Sequence, residues 1–169
     1  MIDLDLLPLG WVHLLASLIA LMLGGLLLIR RKGTDVHKAR GRLYVVAIVL
    51  TSLTALAIYR VGGFFFAHWS AIAALIATAI GVTAAHFRLP RAGWIHLHLT
   101  CMLTSLYVLI GGGVNEVFLR VSWLRQFAPN FNSPAVGITH FAVMLLFAAV
   151  IAYFNVAVLR RAAAVPTRL

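Results

Sequence analysis

Apolar positions in this chain do not alternate with polar ones; they run on. Five stretches, at about residues 6–29, 43–59, 64–87, 92–119 and 135–159, are apolar almost throughout. Each is near or above the ~20 residues that a helix needs to cross about 30 Å of hydrocarbon. The pattern predicts an all-α fold, a polytopic membrane helix bundle of five transmembrane helices in a single domain over residues 1–169. The fourth stretch is long, so its helix is expected to tilt or to project from the bilayer. "GGFFF" (Gly62 to Phe66) reads as a tight turn, and "RQFAPNFNSP" as a loop with two prolines and room for a surface helix.

The polar segments between the runs set the orientation. With the N-terminus outside, the cytoplasmic segments hold Arg30, Arg31, Lys32, Lys38, Arg40, Arg42, Arg88, Arg91, Arg160, Arg161 and Arg168, against the single acid Asp35. The outer segments hold Arg60, Arg120 and Arg125, against Asp3, Asp5 and Glu116. Eleven basic residues against three is a strong positive-inside bias, and an even number of spans would spoil it. The C-terminus is therefore expected in the cytoplasm.

Composition agrees. The chain is 63% hydrophobic and 11% charged, where a soluble domain carries about 25% charged residues. The formal charge of +10 is spread between apolar runs rather than along one stripe, so it excludes a nucleic-acid partner and serves topology. The acidic start "MIDLDLLPLGW" lacks the basic region and cleavage site of a signal peptide, so the first span is expected to be retained. Cys101 is the only cysteine, which rules out an internal disulfide or a cysteine-rich metal site.

The histidines carry the candidate chemistry. His13, His68 and His140 lie five or six residues into the first, third and fifth spans, counted from Pro8, Gly63 and Pro134. Glu116 lies four residues before Arg120 at the outer end of the fourth. At about 1.5 Å per residue all four fall at similar depth. Ionisable groups at membrane depth usually face the bundle interior. Three imidazoles and a carboxylate suit zinc, copper or iron. Glu116 also stands four residues from Arg120, the spacing of a helix ion pair. A second set lies towards the inner side: His86 at the end of the third span, His96 and His98 at the start of the fourth, and His37 in the basic loop. His68 and His86 are eighteen residues apart, as are His98 and Glu116, so each pair shares one helix face. Met102 and Ser105 continue the His98 stripe, and His37, His98, Met102 and Ser105 form a secondary inner candidate site. Histidines this near the span ends can also simply reach interfacial water, most readily His37, His86 and His96 among basic residues. "GGG" (Gly111 to Gly113) reads first as close helix packing and otherwise as room for a bulky ligand such as a porphyrin edge. Trp11, Trp69, Trp94 and Trp123 fit an aromatic belt.

The stretch from His13 to Val46 resembles a bacterial integral membrane family catalogued as domain of unknown function 2306. The matching positions are His13, then Lys32, Gly33 and Thr34, then His37, Lys38, Gly41 and Arg42. His68 and the "HLTCMLTSLY" segment, with His98, Met102 and Ser105, also match, although Leu106 is interposed before Tyr107. The resemblance implies a multi-pass protein of the bacterial cytoplasmic membrane and adds no reaction.

Three functions follow as expectations. The first is a metalloprotein with a redox or hydrolytic centre on His13, His68, His140 and Glu116. The second is a bis-histidine haem b electron carrier, with two of His13, His68 and His140 at the outer side, and His98 with His86 at the inner side. The third is a cofactor-free assembly or packing subunit. The expected partners are the lipid bilayer, a membrane electron-transfer partner or a small lipophilic substrate, and further copies in an oligomer. No nucleophile triad, phosphate loop or paired carboxylate is visible.

Overall fold

The computed structural model describes residues 8–59, 63–130 and 132–163, with side chains as far as residue 160. The turn residues Arg60 to Gly62 and the tail with Arg168 lie outside these. The elements are α1 (Pro8–Ile29), α2 (Asp35–Ala57), α3 (Phe66–Phe87), α4 (Trp94–Arg120), α5 (Ser122–Arg125) and α6 (Pro134–Ala163). All but the single-turn α5 are long and apolar enough to cross a membrane.

The second helix starts earlier than its apolar run. Thr34 is in extended conformation (φ −76°, ψ 163°), and its hydroxyl accepts the His37 N–H at 3.1 Å. Such a cap satisfies a donor that would otherwise end the helix unpaired. Asp35 in the first turn favours the helix dipole and pairs with Lys38 at 3.0 Å. His37, expected in a loop, is therefore a first-turn residue of α2. The single-turn α5 lies just before the two-proline loop, sharing only Arg125 with it, so among the described residues the loop itself holds no helix, and Ser133 and Pro134 open α6.

Consecutive long helices pack side by side, α1 on α2, α2 on α3, α3 on α4 and α4 on α6, and α1 also touches α4. Helix α4 is thus the hub. Helix α6 packs chiefly on it and buries only 6% of its most apolar window, leaving Ile138, Phe141, Leu145 and Leu146 exposed. An apolar face of that extent is at home in lipid rather than in water. The chain is a multi-pass membrane protein by this measure, with Trp11, Trp69 and Trp123 exposed near helix ends.

The core joins Ala20 and Leu23 of α1, Tyr44, Ala47 and Ile48 of α2, Leu106 of α4 and Phe147 of α6. Inside it, the Tyr44 and Ser105 hydroxyls lie 2.9 Å apart, and both residues are fully buried. Ser105 already donates to the Met102 carbonyl at 2.8 Å, so Tyr44 donates and Ser105 accepts. This gives an unequal expectation for the two deletions. Tyr44→Phe removes the donor and leaves the Ser105 proton satisfied, a loss of about 0.5–1.5 kcal/mol. Ser105→Ala strands a buried phenol, at about 1–3 kcal/mol. Thermal unfolding in detergent should rank Ser105→Ala below Tyr44→Phe, and the reverse order would refute this assignment of donor and acceptor.

Glycines set two close approaches. A Cβ on Gly24 would lie 2.6 Å from Leu106 Cδ1, and one on Gly81 would lie 3.0 Å from Met102 Sδ and 3.1 Å from Cys101 Cβ. The first lets α1 reach α4, and the second seats α3 on α4. Of the Gly111–Gly113 triplet only Gly111 is in contact, its Cβ position 3.4 Å from His140 Cε1, while Gly112 and Gly113 face open space.

Candidate functional site

The start of α1, the end of α2, the start of α3, the end of α4 and the start of α6 share one end of the bundle. His13, His68, Glu116 and His140 all occur there, so the expected common depth is present. The expected cluster is not. Among the described residues, no group of three or more His, Cys, Asp or Glu side chains is placed to hold a metal ion. The reason is local: each ring is taken up by its own neighbourhood. His13 Nδ1 lies 3.0 Å from both the Thr51 carbonyl oxygen and Thr54 Oγ1 of α2. Thr54 spends its own proton on Leu50 O and Thr51 O, so His13 Nδ1–H is the donor to both. His140 Nε2 meets Asn115 Oδ1 of α4 at 3.0 Å. Glu116 pairs with Arg120, its neighbour one turn on.

His68 does something different. It is fully buried, and its Nδ1 accepts the Phe65 N–H at 3.2 Å, capping the start of α3. The Tyr59, Phe64 and Phe65 rings surround it at centroid distances of 4.7, 4.7 and 4.9 Å. An accepting Nδ1 puts the proton of a neutral ring on Nε2, and that atom is buried with no hydrogen-bond partner. In this tautomer His68 offers no lone pair on its buried side.

The opposite end holds His37, His86, His96 and His98. His96 Nδ1 donates to Asn155 Oδ1 at 2.6 Å, while the Asn155 amide is fixed on Thr100 Oγ1 and Ile151 O. That ring ties α4 to α6. His86 is exposed, edge-on to Phe87, and no hydrogen bond or ring contact joins it to His98 among the described residues. The inner pair expected from His98 and His86 is therefore not assembled. Ser105 and Met102 sit deeper, Ser105 in the core clamp with Tyr44 and Met102 against Gly81.

His98 is the exception. Its Nδ1 donates to the Gly81 carbonyl of α3 at 2.8 Å. A carbonyl can only accept, so the proton is on Nδ1 and the Nε2 lone pair is left over. A ring N–H held by a backbone carbonyl is the usual support of a metal-ligating histidine. His98 and Lys32 both lie within electrostatic range of His37. His37 Nδ1 is itself buried with no hydrogen-bond partner. Helices α2 and α4 thus each bring a histidine to this end of the bundle. The chain matches no family profile, no curated protein and no solved structure. What the site does must be argued from these side chains.

Chemically, His98, with Nε2 left over, and His37, with a buried unpartnered Nδ1, are the two imidazoles at this end that could each offer a nitrogen to a metal. They lack the third donor that a tetrahedral zinc centre needs. The sequence reading missed the groups that fix the rings. Asn115 and Asn155 were visible as amides within apolar runs, a signal of interhelical hydrogen bonding. The Gly81 carbonyl carried no such signal, because it is backbone.

Proposed function

We propose that the chain is a membrane electron carrier of haem b, which His37 and His98 would hold. The supporting observation is the His98 ring, held by Nδ1 on Gly81 O with Nε2 left over, within electrostatic range of His37. Bound haem b supplies one-electron transfer between ferric and ferrous iron. The chain's own residues do the rest. Gly81 fixes the tautomer and plane of His98. Thr34 fixes the helical turn that carries His37. The positive-inside bias of the basic segments favours the cytoplasmic side of a bacterial inner membrane for this end, as the resemblance to domain of unknown function 2306 implies. A membrane redox protein or a small lipophilic reductant would exchange the electron.

A second reading has one observation in its favour. The His13 N–H is shared between Thr51 O and Thr54 Oγ1, again the support of a ligand ring. A zinc, copper or iron centre on His13, His68, His140 and Glu116 would require His68 to leave its cap and Glu116 to leave Arg120.

The test is the optical spectrum of the purified full chain from haem-sufficient cells. A Soret band with stoichiometric haemochrome supports the first reading. A colourless protein with stoichiometric metal by elemental analysis replaces it with the second. Absence of both leaves the cofactor-free packing subunit.

A further inference from the structure

A cavity of about 370 Å³ opens between the last turn of α1 and the first turns of α2. Its walls are Leu27, Arg30 and Arg31 on one side and Thr34, Val36, His37 and Arg40 on the other. No residue of α4 lines it, so it lies apart from His98, although His37 borders it.

Its charge is one-sided. The side chains of Arg30, Arg31 and Arg40 make no hydrogen bond or ion pair with any described residue. The one acid nearby, Asp35, does not line the cavity and is bound to Lys38. Lys32 turns away onto the Leu28 carbonyl and packs over the Phe154 ring, 5.0 Å from its centroid. Three guanidinium groups around one hollow repel each other unless an anion sits among them. Guanidinium forks match phosphate oxygens in geometry as well as charge. The Thr34 hydroxyl already accepts from His37 N–H, and its proton remains to be given.

We propose that this cavity binds a phosphate ester group. The observations favour a phospholipid headgroup as its source. The cavity lies at the end of a spanning helix, where headgroups are, and Leu27 and Val36 give it an apolar side for the start of an acyl chain. Basic pockets at the ends of transmembrane helices bind anionic lipid in this way. The proposal does not depend on the haem reading, since His98 does not line the cavity and the variants below leave both histidines in place.

The experiment uses the full chain in detergent and native mass spectrometry. The probes are phosphatidylglycerol, phosphatidylcholine and inorganic phosphate. Two variants remove equal charge from the same end: Arg30→Gln with Arg40→Gln, and Arg88→Gln with Arg91→Gln. The parent should retain phosphatidylglycerol, and the cavity pair should lower that retention at least tenfold. The Arg88 and Arg91 pair should leave it within twofold. Retention that survives excess inorganic phosphate assigns the site to a lipid, whereas displacement by inorganic phosphate assigns it to a soluble phosphate compound. Equal loss in both variant pairs, or no loss in either, overturns the proposal, because the affinity then belongs to general surface charge. Haem content, read on the same samples, should not change in any of them, which separates this outcome from the fate of the haem reading.

Discussion

His98→Gly is expected to strip the protein of haem, and added imidazole is expected to restore it. Loss of an outer-shell partner typically costs about 10–100-fold in metal affinity, and loss of the ligand itself costs at least as much. The ring is also a bridge: it joins α4 to the Gly81 carbonyl of α3. Its removal leaves that carbonyl without this donor, so some loss of stability is expected too, of about 1–3 kcal/mol. The two effects separate by rescue. Imidazole entering the vacated space re-forms an iron–nitrogen bond and brings back the Soret band, but a purely structural histidine gives no band to recover. Haem content unchanged in the variant would remove His98 from the site.

Gly81→Val is the substitution expected to disturb both packing and site. The added Cβ would stand 3.1 Å from Cys101 Cβ, an atom fixed to the α4 backbone, and 3.0 Å from Met102 Sδ. The thioether can move aside but the Cys101 Cβ cannot, so α3 and α4 must part. Overpacking of this kind costs about 1–3 kcal/mol. The same shift moves the Gly81 carbonyl, which sets the His98 tautomer. Gly112→Val makes the control, because its Cβ would meet open space within the protein. Thermal unfolding in detergent should show a clear drop for Gly81→Val and a small one for Gly112→Val. Equal drops would mean that helix propensity, not the α3–α4 approach, sets the cost.

Fold and site differed in how far they could be read from the sequence. The five spanning helices follow from length and apolarity alone, since lipid leaves a helix few alternatives. Their depth relations follow too, because 1.5 Å per residue is a reliable ruler. Lateral relations do not. His13, His68 and His140 share a depth, but whether three rings meet depends on helix rotation, which a near-uniformly apolar sequence does not encode. Rotation here is set by small contacts: Gly24 under Leu106, Gly81 under Cys101, and the Tyr44–Ser105 bond. His37 was misplaced for a different reason. The run Asp35 to Arg42 is polar and reads as a loop, yet Thr34 caps it and Asp35 suits its first turn, so the helix extends past the apolar segment. The tautomers of His68 and His98 rest on backbone partners, Phe65 N–H and Gly81 C=O, and no residue type announces those.

The central claim is that the haem-holding pair comes from α2 and α4, and it meets its most direct test in haem stoichiometry of His37→Ala against His86→Ala. Both histidines lie at the same end of the bundle, among basic residues, and both were candidates for pairing with His98. His86 is exposed beside Phe87, whereas His37 is part-buried and within range of His98. The account predicts that His37→Ala loses haem at least tenfold while His86→Ala keeps the parent's content and spectrum. Haem retained in His37→Ala and lost in His86→Ala would move the site to α3 and α4, and a parent protein without haem would contradict the account altogether.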